Sequence, residues 1–300
     1  MAISLPTKII LFVGILTLLV VAVGATALWN GTSNTLVREL DRRASMPSDI
    51  AIGDDTLPAP VARFLAHSLP PGQRRIRTAT LEQSGEFFLN GQWLPFTARQ
   101  FFAATPPAFM WDARIRMGRL LSVYVRDAYI AGGASMRARV LGIYPVVNQA
   151  NTPELKSGAL MRYLGEASWL PTRLMPGDGL TWTPIDDDHA TATLTDGDTS
   201  VSLQFTFDAD GAITEIYSSD RFREVNGSYV KTPWRVRALG HEVKSGIRLM
   251  SPAEVEWVLP DGPQPVLARP HHVDCLHILN PARVARIALD HDDGPAEAGH

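Results

Sequence analysis

Residues 109–117 read FMWDARIRM, and the alternation within this stretch decides the fold class. Every second residue from Phe109 to Met117 is apolar, whereas Asp112, Arg114 and Arg116 between them are charged. Because successive side chains of a β-strand point to opposite faces, this spacing predicts a strand with one apolar face and one solvated face. Strands of this kind are typical of antiparallel sheets.

The same period of two continues on both sides of this stretch and predicts an antiparallel meander. Between Arg75 and Val147, the apolar–polar runs are separated by glycines at positions 91, 118, 132 and 133. Three later turn sequences predict hairpins, namely Gly197-Asp198, Asp208–Gly211 and Asn226-Gly227. The last strand is expected at Val255–Leu259.

Two stretches have a helical period instead. Residues 57–67 read LPAPVARFLAH, and Pro60 suits the first turn of a short helix. Residues 152–169 read TPELKSGALMRYLGEASW, where Thr152 is expected to cap a longer helix that ends before Pro171. The apolar stripe of this longer helix consists of Leu155, Ala159, Tyr163, Leu164 and Ala167.

Together these elements predict a mainly antiparallel β (α+β) domain over residues 57–267, in which a strongly curved, half-barrel-like sheet packs against one long and one short helix. So few helices cannot cover so much apolar strand surface, so either the sheet folds over itself or a cavity remains. Such a cavity would bind apolar ligands. For each tryptophan beyond the anchor, an ordinary core or rim position is the more common interpretation. The candidate cavity residues are Trp93, Phe96, Trp111, Met117, Tyr163, Glu166, Trp169, Trp182, Trp234 and Trp257.

The N-terminal part of the chain predicts a membrane segment. Residues 9–29 read IILFVGILTLLVVAVGATALW, which is 21 residues without a charge. As a helix this run would be about 31 Å long, close to the thickness of a bilayer core. Residues 1–29 are therefore expected to form a transmembrane anchor, with a cleaved signal segment as the alternative because Ala25-Thr26-Ala27 fits a cleavage site.

This segment sets the expected organisation and location of the chain. Residues 30–56 would form a polar stalk, and residues 268–300, which are rich in proline, an irregular C-terminal tail. We expect a single-pass protein of the cytoplasmic membrane, with its body on the extracytoplasmic, periplasmic side.

Composition excludes several classes of protein. The 300 residues carry 28 Lys+Arg against 31 Asp+Glu, and they include a single Cys. A strongly basic nucleic-acid binder and a disulfide-stabilised scaffold are therefore excluded. From Trp111 to Arg139 there are six Arg against two Asp. This Arg-rich face is either the solvated side of the sheet or a surface for anionic lipid headgroups or an acidic partner.

Glu166 is the candidate with the clearest route to catalysis. It follows Arg162 by four residues, so one interpretation is a surface ion pair. The alternative is a carboxylate that faces the cavity with a raised pKa and acts as an acid or base. No familiar catalytic or phosphate-binding motif occurs, and no cofactor is expected.

A metal site is the other chemical possibility. His271, Cys275 and His277 would share one face of a strand and could bind zinc. A second pair of ligands is not evident in the sequence, so no metal site is predicted.

Several motifs resemble a family of uncharacterised bacterial proteins known only as a domain of unknown function. These motifs are LPxPVxRFL at 57–65, WLPFTA at 93–98, RYLxEAxWLPT at 162–172, ATLTDG at 192–197, REVNG at 223–227 and TPW at 232–234. The resemblance covers roughly residues 57–260. It implies no activity, but the strand–helix–strand layout looks like the lipoprotein-carrier superfamily (LolA and LppX-like), in which a curved sheet plugged by helices holds acyl chains.

The sequence thus predicts a membrane-tethered protein of the cell envelope that binds a lipid or another apolar ligand in a half-barrel cavity, with no catalysis assigned. Two alternatives stay open. One is an enzyme whose site is built around Glu166 with nearby Arg and Tyr residues. The other is a structural or assembly partner that uses the Arg-rich face.

Overall fold

The computed structural model describes residues 5–46, 57–118 and 121–279. Within these residues the helices are α1 (Leu5–Arg43), α2 (Ala59–Ser68) and α3 (Pro153–Glu166), and 3-10 turns occupy Ala167–Trp169 and Pro171–Leu174. The strands are β1 (Thr78–Leu89), β2 (Gln92–Ala103), β3 (Ala108–Arg116), β4 (Ser122–Ile130), β5 (Gly133–Val140), β6 (Tyr144–Ala150), β7 (Leu180–Pro184), β8 (His189–Asp196), β9 (Thr199–Phe207), β10 (Ile213–Val225), β11 (Ser228–Ala238), β12 (His241–Lys244), β13 (Ile247–Met250), β14 (Ala253–Leu259) and β15 (Gly262–Leu279).

Thirteen of these strands form one sheet in the order β6-β5-β4-β3-β2-β1-β15-β14-β11-β10-β9-β8-β7. Every neighbouring pair is antiparallel. The predicted hairpins join β8 to β9, β9 to β10 and β10 to β11 at the expected turns. The antiparallel β class is therefore confirmed.

The sheet curls around α3. This helix packs against β4 and β5 on one arm of the sheet and against β9 and β10 on the other arm. Because the centre of the sheet separates these two pairs of strands, one helix can contact both only if the sheet bends around it. The half-barrel is thus confirmed, and we call the surface that faces α3 the concave face.

Local capping and packing fix α3 in place. The hydroxyl oxygen of Thr152 accepts a hydrogen bond from the backbone N–H of Leu155 at 3.1 Å, so the predicted N-cap is confirmed. Tyr163 is fully buried and stacks on Phe102, with 4.3 Å between the ring centroids. Its hydroxyl donates to the backbone carbonyl of Ala103 at 2.9 Å. The helix is therefore anchored to the sheet through its C-terminal half.

The helix α1 extends further than the sequence indicates. It runs to Arg43, although residues 30–56 were expected to be a polar stalk. Leu40 is 3% exposed and packs with Phe101 and Met110 on the convex face of the sheet. The stalk prediction is wrong up to residue 43 because this apolar contact stabilises helix where the local composition is polar. Residues 47–56 lie outside the described part of the chain.

The first half of α1 has little contact with the sheet. Large apolar side chains there are exposed, for example Ile10 and Phe12. Among the residues that the structure describes, no helix combines the length and the hydrophobicity needed to cross a membrane. The predicted transmembrane anchor is not confirmed by the fold.

The last described strand replaces the first part of the predicted tail. Residues 268–279 belong to β15, which pairs with β1 and β14 in the centre of the sheet. The prolines in this stretch argued against a strand in the sequence. The strand β15 tolerates them because its pairing is interrupted by several register shifts. Val273 and Leu276 are buried in the core. The irregular-tail prediction is therefore wrong as far as residue 279, and residues 280–300 are not described.

Candidate functional site

The register of the strands places one row of side chains across the concave face. Gln100 of β2 lies opposite Trp111 of β3, and Trp111 lies opposite Asp127 of β4. The row continues to Met136 of β5 and Gln149 of β6. Because directly opposed residues of an antiparallel pair share a face, all five face the interior of the half-barrel.

A cavity of about 870 Å³ lies between this row, α3 and the other arm of the sheet. Pockets that hold small molecules typically measure about 300–1,000 Å³, so the cavity can take one such molecule. Much of its wall is aliphatic or aromatic, including Val125, Ala138, Val140, Val236, Val255 and Leu267.

A cluster of charged side chains lies at the inner end of the cavity, beside α3. The guanidinium of Arg162 donates through Nε to Glu166 and through one terminal nitrogen to Asp127, each at 2.7 Å. The other oxygen of Glu166 accepts from Nε2 of Gln100 at 2.6 Å. The side chains of Arg162, Glu166 and Asp127 are 18%, 13% and 8% exposed, so the predicted Arg162–Glu166 pair exists but is largely buried.

The polar contacts continue behind this cluster. Nε2 of Gln83 donates to Gln100 at 3.3 Å, and the indole N–H of Trp111 donates to Gln83 at 2.8 Å. Both glutamines are buried, where an unsatisfied amide would be costly. This series of hydrogen bonds, from Trp111 through Gln83 and Gln100 to Glu166, therefore holds the carboxylate in one position.

The charges of the cluster have different environments. Burial raises the pKa of Glu166, and the charges of Arg162 and Asp127 act on it in opposite directions. Burial acts to lower the pKa of Arg162, but the two carboxylates outweigh it and raise that pKa above its usual value. Arg162 therefore stays protonated, and it stacks on Trp111 at 4.8 Å from the ring centroid.

Arg221 of β10 lines the same cavity without a comparable partner. Its guanidinium lies 4.6 Å from the ring centroid of Trp234. It forms no hydrogen bond or ion pair within the described residues, and one terminal nitrogen, Nη1, is fully shielded from solvent and unsatisfied. Burial lowers its pKa to about 10, so Arg221 is a cation near neutral pH.

A bulge in β10 brings Arg221 to this position. Ser218 lies opposite Trp234, but Arg221 lies opposite Thr232, so three steps along β10 match two steps along β11. In a regular ladder Asp220 would oppose Thr232. The extra residue therefore puts an arginine, rather than an aspartate, on the same side as Trp234.

The structure brings only some of the predicted site residues together. Those that line the cavity are Trp111, Met117, Glu166, Trp169, Trp234 and Trp257. The others, Trp93, Phe96, Tyr163 and Trp182, are not part of its lining. Trp93 packs on Phe88, Phe96 is buried beneath Trp111, and Trp182 donates to the carbonyl of Leu174 at 2.8 Å. These contacts are structural.

Sequence reasoning missed Asp127 and Arg221 as members of the site. Asp127 could have been found, because it occupies the inward phase of β4 between Val125 and Tyr129, where an apolar residue is expected. Arg221 gives no such signal, since its inward position depends on the bulge. For the zinc possibility, the side chains of His271 and Cys275 lie outside the described residues.

Comparisons with known proteins agree with the motifs. A family of unknown function, DUF6544, matches residues 51–268. No curated protein matches the chain. The crystal structure of a DUF1329 family protein from Desulfovibrio piger is similar at 12% sequence identity and a TM-score of 0.40, over 78% of this chain and 100% of that chain. We infer no ligand or activity from a similarity of this degree.

Proposed function

The chain belongs to the family of unknown function DUF6544, as its motifs predict, and we propose that it binds one apolar molecule, such as a lipid chain, inside the half-barrel. The cavity of about 870 Å³ with largely apolar walls is the observation that supports this function. Transfer of apolar surface from water to such walls contributes about 25 cal/mol per Å².

The open end of the cavity suits a ligand that comes from a membrane. It is formed by the ends of β1, β3, β5 and β10 and the starts of β2, β4, β6 and β11. Seven large apolar side chains there are at least 38% exposed: Leu89, Met117, Leu121, Ile143, Tyr144, Val146 and Val230. We call this set the apolar rim. Exposed apolar surface of this kind favours contact with lipid.

A substitution that fills the cavity tests the binding function. Ala138 is buried in the wall on β5, and Ala138→Phe would place a ring in the space that a ligand needs. We expect the full-length protein, purified from membranes, to carry an apolar molecule in native mass spectrometry. The variant should retain less than about a tenth of that occupancy, since the ring and the ligand compete for one volume.

Ser202→Phe is the matched control for this variant. Ser202 is exposed on β9, so the same ring is added to the outside of the fold. The control should keep the bound molecule. Equal occupancy of the Ala138→Phe protein and the wild type would contradict the proposed site, as would failure of the wild type to bind added palmitate or hexadecanol.

Membrane tethering by residues 9–29 is the second part of the proposal. The uncharged run supports it, and so does the place where α1 meets the sheet. The backbone of Ala25 lies against Gly142, which adjoins Ile143 and Tyr144 of the apolar rim. An anchor that leaves the sheet at this point would hold the rim and the cavity mouth close to the bilayer, with the body on the extracytoplasmic side.

A charge within the run tests the tether. Leu16→Arg should shift the protein from the carbonate-resistant membrane fraction to the supernatant, because an arginine at a helix centre costs about 2.5–3.5 kcal/mol in membrane insertion. Thr35→Arg adds the same charge to an exposed position beyond the run and should stay in the membrane fraction. Wild-type protein in the carbonate supernatant would refute the tether without affecting the cavity.

An enzyme built around Glu166 has weaker support. Its raised pKa fits that hypothesis, but Arg162 and Gln100 occupy both of its carboxylate oxygens. A carboxylate held on both oxygens in this way is fixed in position, which favours a structural role over proton exchange with a substrate. The use of the Arg-rich face for a partner stays a prediction.

A further inference from the structure

The inner end of the cavity contains a cation, Arg221, for which the described residues supply no hydrogen-bonded anion. Arg221 stacks on Trp234 and lacks any hydrogen-bonded acceptor among the described residues. Buried guanidinium groups normally have a carboxylate partner or several acceptors, because an unpaired buried charge is costly. An interaction with a further group would therefore lower the free energy of this site.

The neighbouring carboxylates are already committed. Asp127 accepts from Arg162, and Glu166 accepts from Arg162 and Gln100. Their negative charges favour the protonated form of Arg221 from a distance, whereas the positive charge of Arg162 disfavours it. The acceptor that Arg221 lacks can therefore come only from the cavity, either as water or as part of a bound molecule.

The shape and polarity of the cavity restrict what that molecule is. Arg221 lies near the charged cluster, whereas the walls toward the apolar rim include Val123, Val140 and Val146. A molecule that satisfies both ends has an anionic head and an apolar tail. Arginine binds carboxylates and phosphates well because its planar donors match their oxygens.

We propose that Arg221 binds the anionic head of a single-chain amphiphile, a carboxylate or a phosphate monoester, whose tail extends along the cavity toward the apolar rim. This inference rests on the proposed function and adds the class of ligand and its orientation. The bulge in β10 is then a functional feature, since a regular ladder would present Asp220 and repel the same head.

Probes that share one tail test this assignment. The full-length protein in non-ionic detergent is titrated by native mass spectrometry with palmitate, hexadecyl phosphate, hexadecanol and hexadecylamine. We expect at least one anion to bind about tenfold or more tightly than the alcohol, and the amine to bind more weakly than either. The tighter of the two anions distinguishes a carboxylate source from a phosphate source.

Variants then assign the preference to Arg221. Arg221→Met should reduce the affinity for the preferred anion about tenfold and leave hexadecanol binding unchanged, which also shows that the cavity is intact. Arg248→Met removes the same charge from an exposed position on β13 and should bind like the wild type.

The outcomes separate the two proposals. A wild type that binds none of the four probes refutes the apolar-ligand function itself. If the wild type binds the alcohol as tightly as it binds both anions, the apolar-ligand function stands and the role of Arg221 is overturned. This comparison uses the wild type alone, so it holds even if the variant fails to fold. An anion preference that survives in Arg221→Met also overturns it.

Discussion

Replacement of Arg162 by methionine is expected to destabilise the protein by about 3–5 kcal/mol, the range seen when one partner of a buried ion pair is removed. Asp127 and Glu166 would be left in the interior without the cation that contacts both of them. Methionine has a similar length and fills much of the same space, so the loss reports the charge interaction rather than a cavity. Chemical denaturation of the full-length protein measures it.

The destabilisation should depend on pH. Burial raises the folded-state pKa of Glu166 above its unfolded value, and without Arg162 the main opposing charge is gone, so the folded variant takes up a proton there at higher pH than the unfolded chain does. Its stability relative to the wild type therefore falls as the pH rises and recovers as the pH is lowered from 8 to 5.

Arg237→Met is the control for Arg162→Met. Arg237 pairs with Glu254 and Glu256, but its side chain is 45% exposed. Its loss should cost about 0–1 kcal/mol. If the two variants lost equal stability, the buried cluster would not be a major source of stability.

Trp29→Ala is expected to weaken the docking of α1 by about 3–5 kcal/mol, as for other large-to-small changes at buried aromatic residues. Trp29 is 6% exposed, and its indole N–H donates to Asp112 of β3 at 2.8 Å. The guanidinium of Arg126 lies 4.3 Å from its ring centroid and donates to its backbone carbonyl. Hydrogen exchange should then accelerate in α1 beyond residue 29, while the strands around α3 keep their protection.

The adjacent residue provides the control for this change. Leu28 is 74% exposed, so Leu28→Ala should leave the exchange of α1 unchanged. Equal exchange rates in α1 of the Trp29→Ala variant and the wild type would show that contacts around Leu40 are sufficient to dock the helix.

Much of the fold could be predicted from local periodicity. The alternation from Phe109 to Met117 identifies β3, and the turn sequence Asn226-Gly227 identifies the β10–β11 hairpin, since both signals are contained in a few neighbouring residues. The capping of α3 by Thr152 is equally local. The need to cover one apolar sheet face also predicted a cavity.

The parts that the sequence could not predict depend on long-range pairing. The pairing of β15 with β1 joins residues up to 201 positions apart, as in the Thr78–Leu279 pair, and no local pattern specifies it. The inward position of Arg221 depends on a single extra residue in β10. The helical structure of residues 30–43 depends on a sheet surface distant in sequence.

Within the described part of the chain, the edge strand β6 has a ladder of hydrogen bonds on one side only. Among the described residues, β6 is hydrogen bonded along its length only to β5, and a single bond from Gln149 to Glu224 of β10, 2.8 Å long, spans from it to the opposite arm. A fully closed barrel would have a fixed circumference, because every strand would be hydrogen bonded to a neighbour on both sides. Here the Gln149–Glu224 bond is the one hydrogen bond among the described residues that links β6 to β10, so the gap between these two strands can widen for bulkier ligands while the pairing at the centre of the sheet is kept.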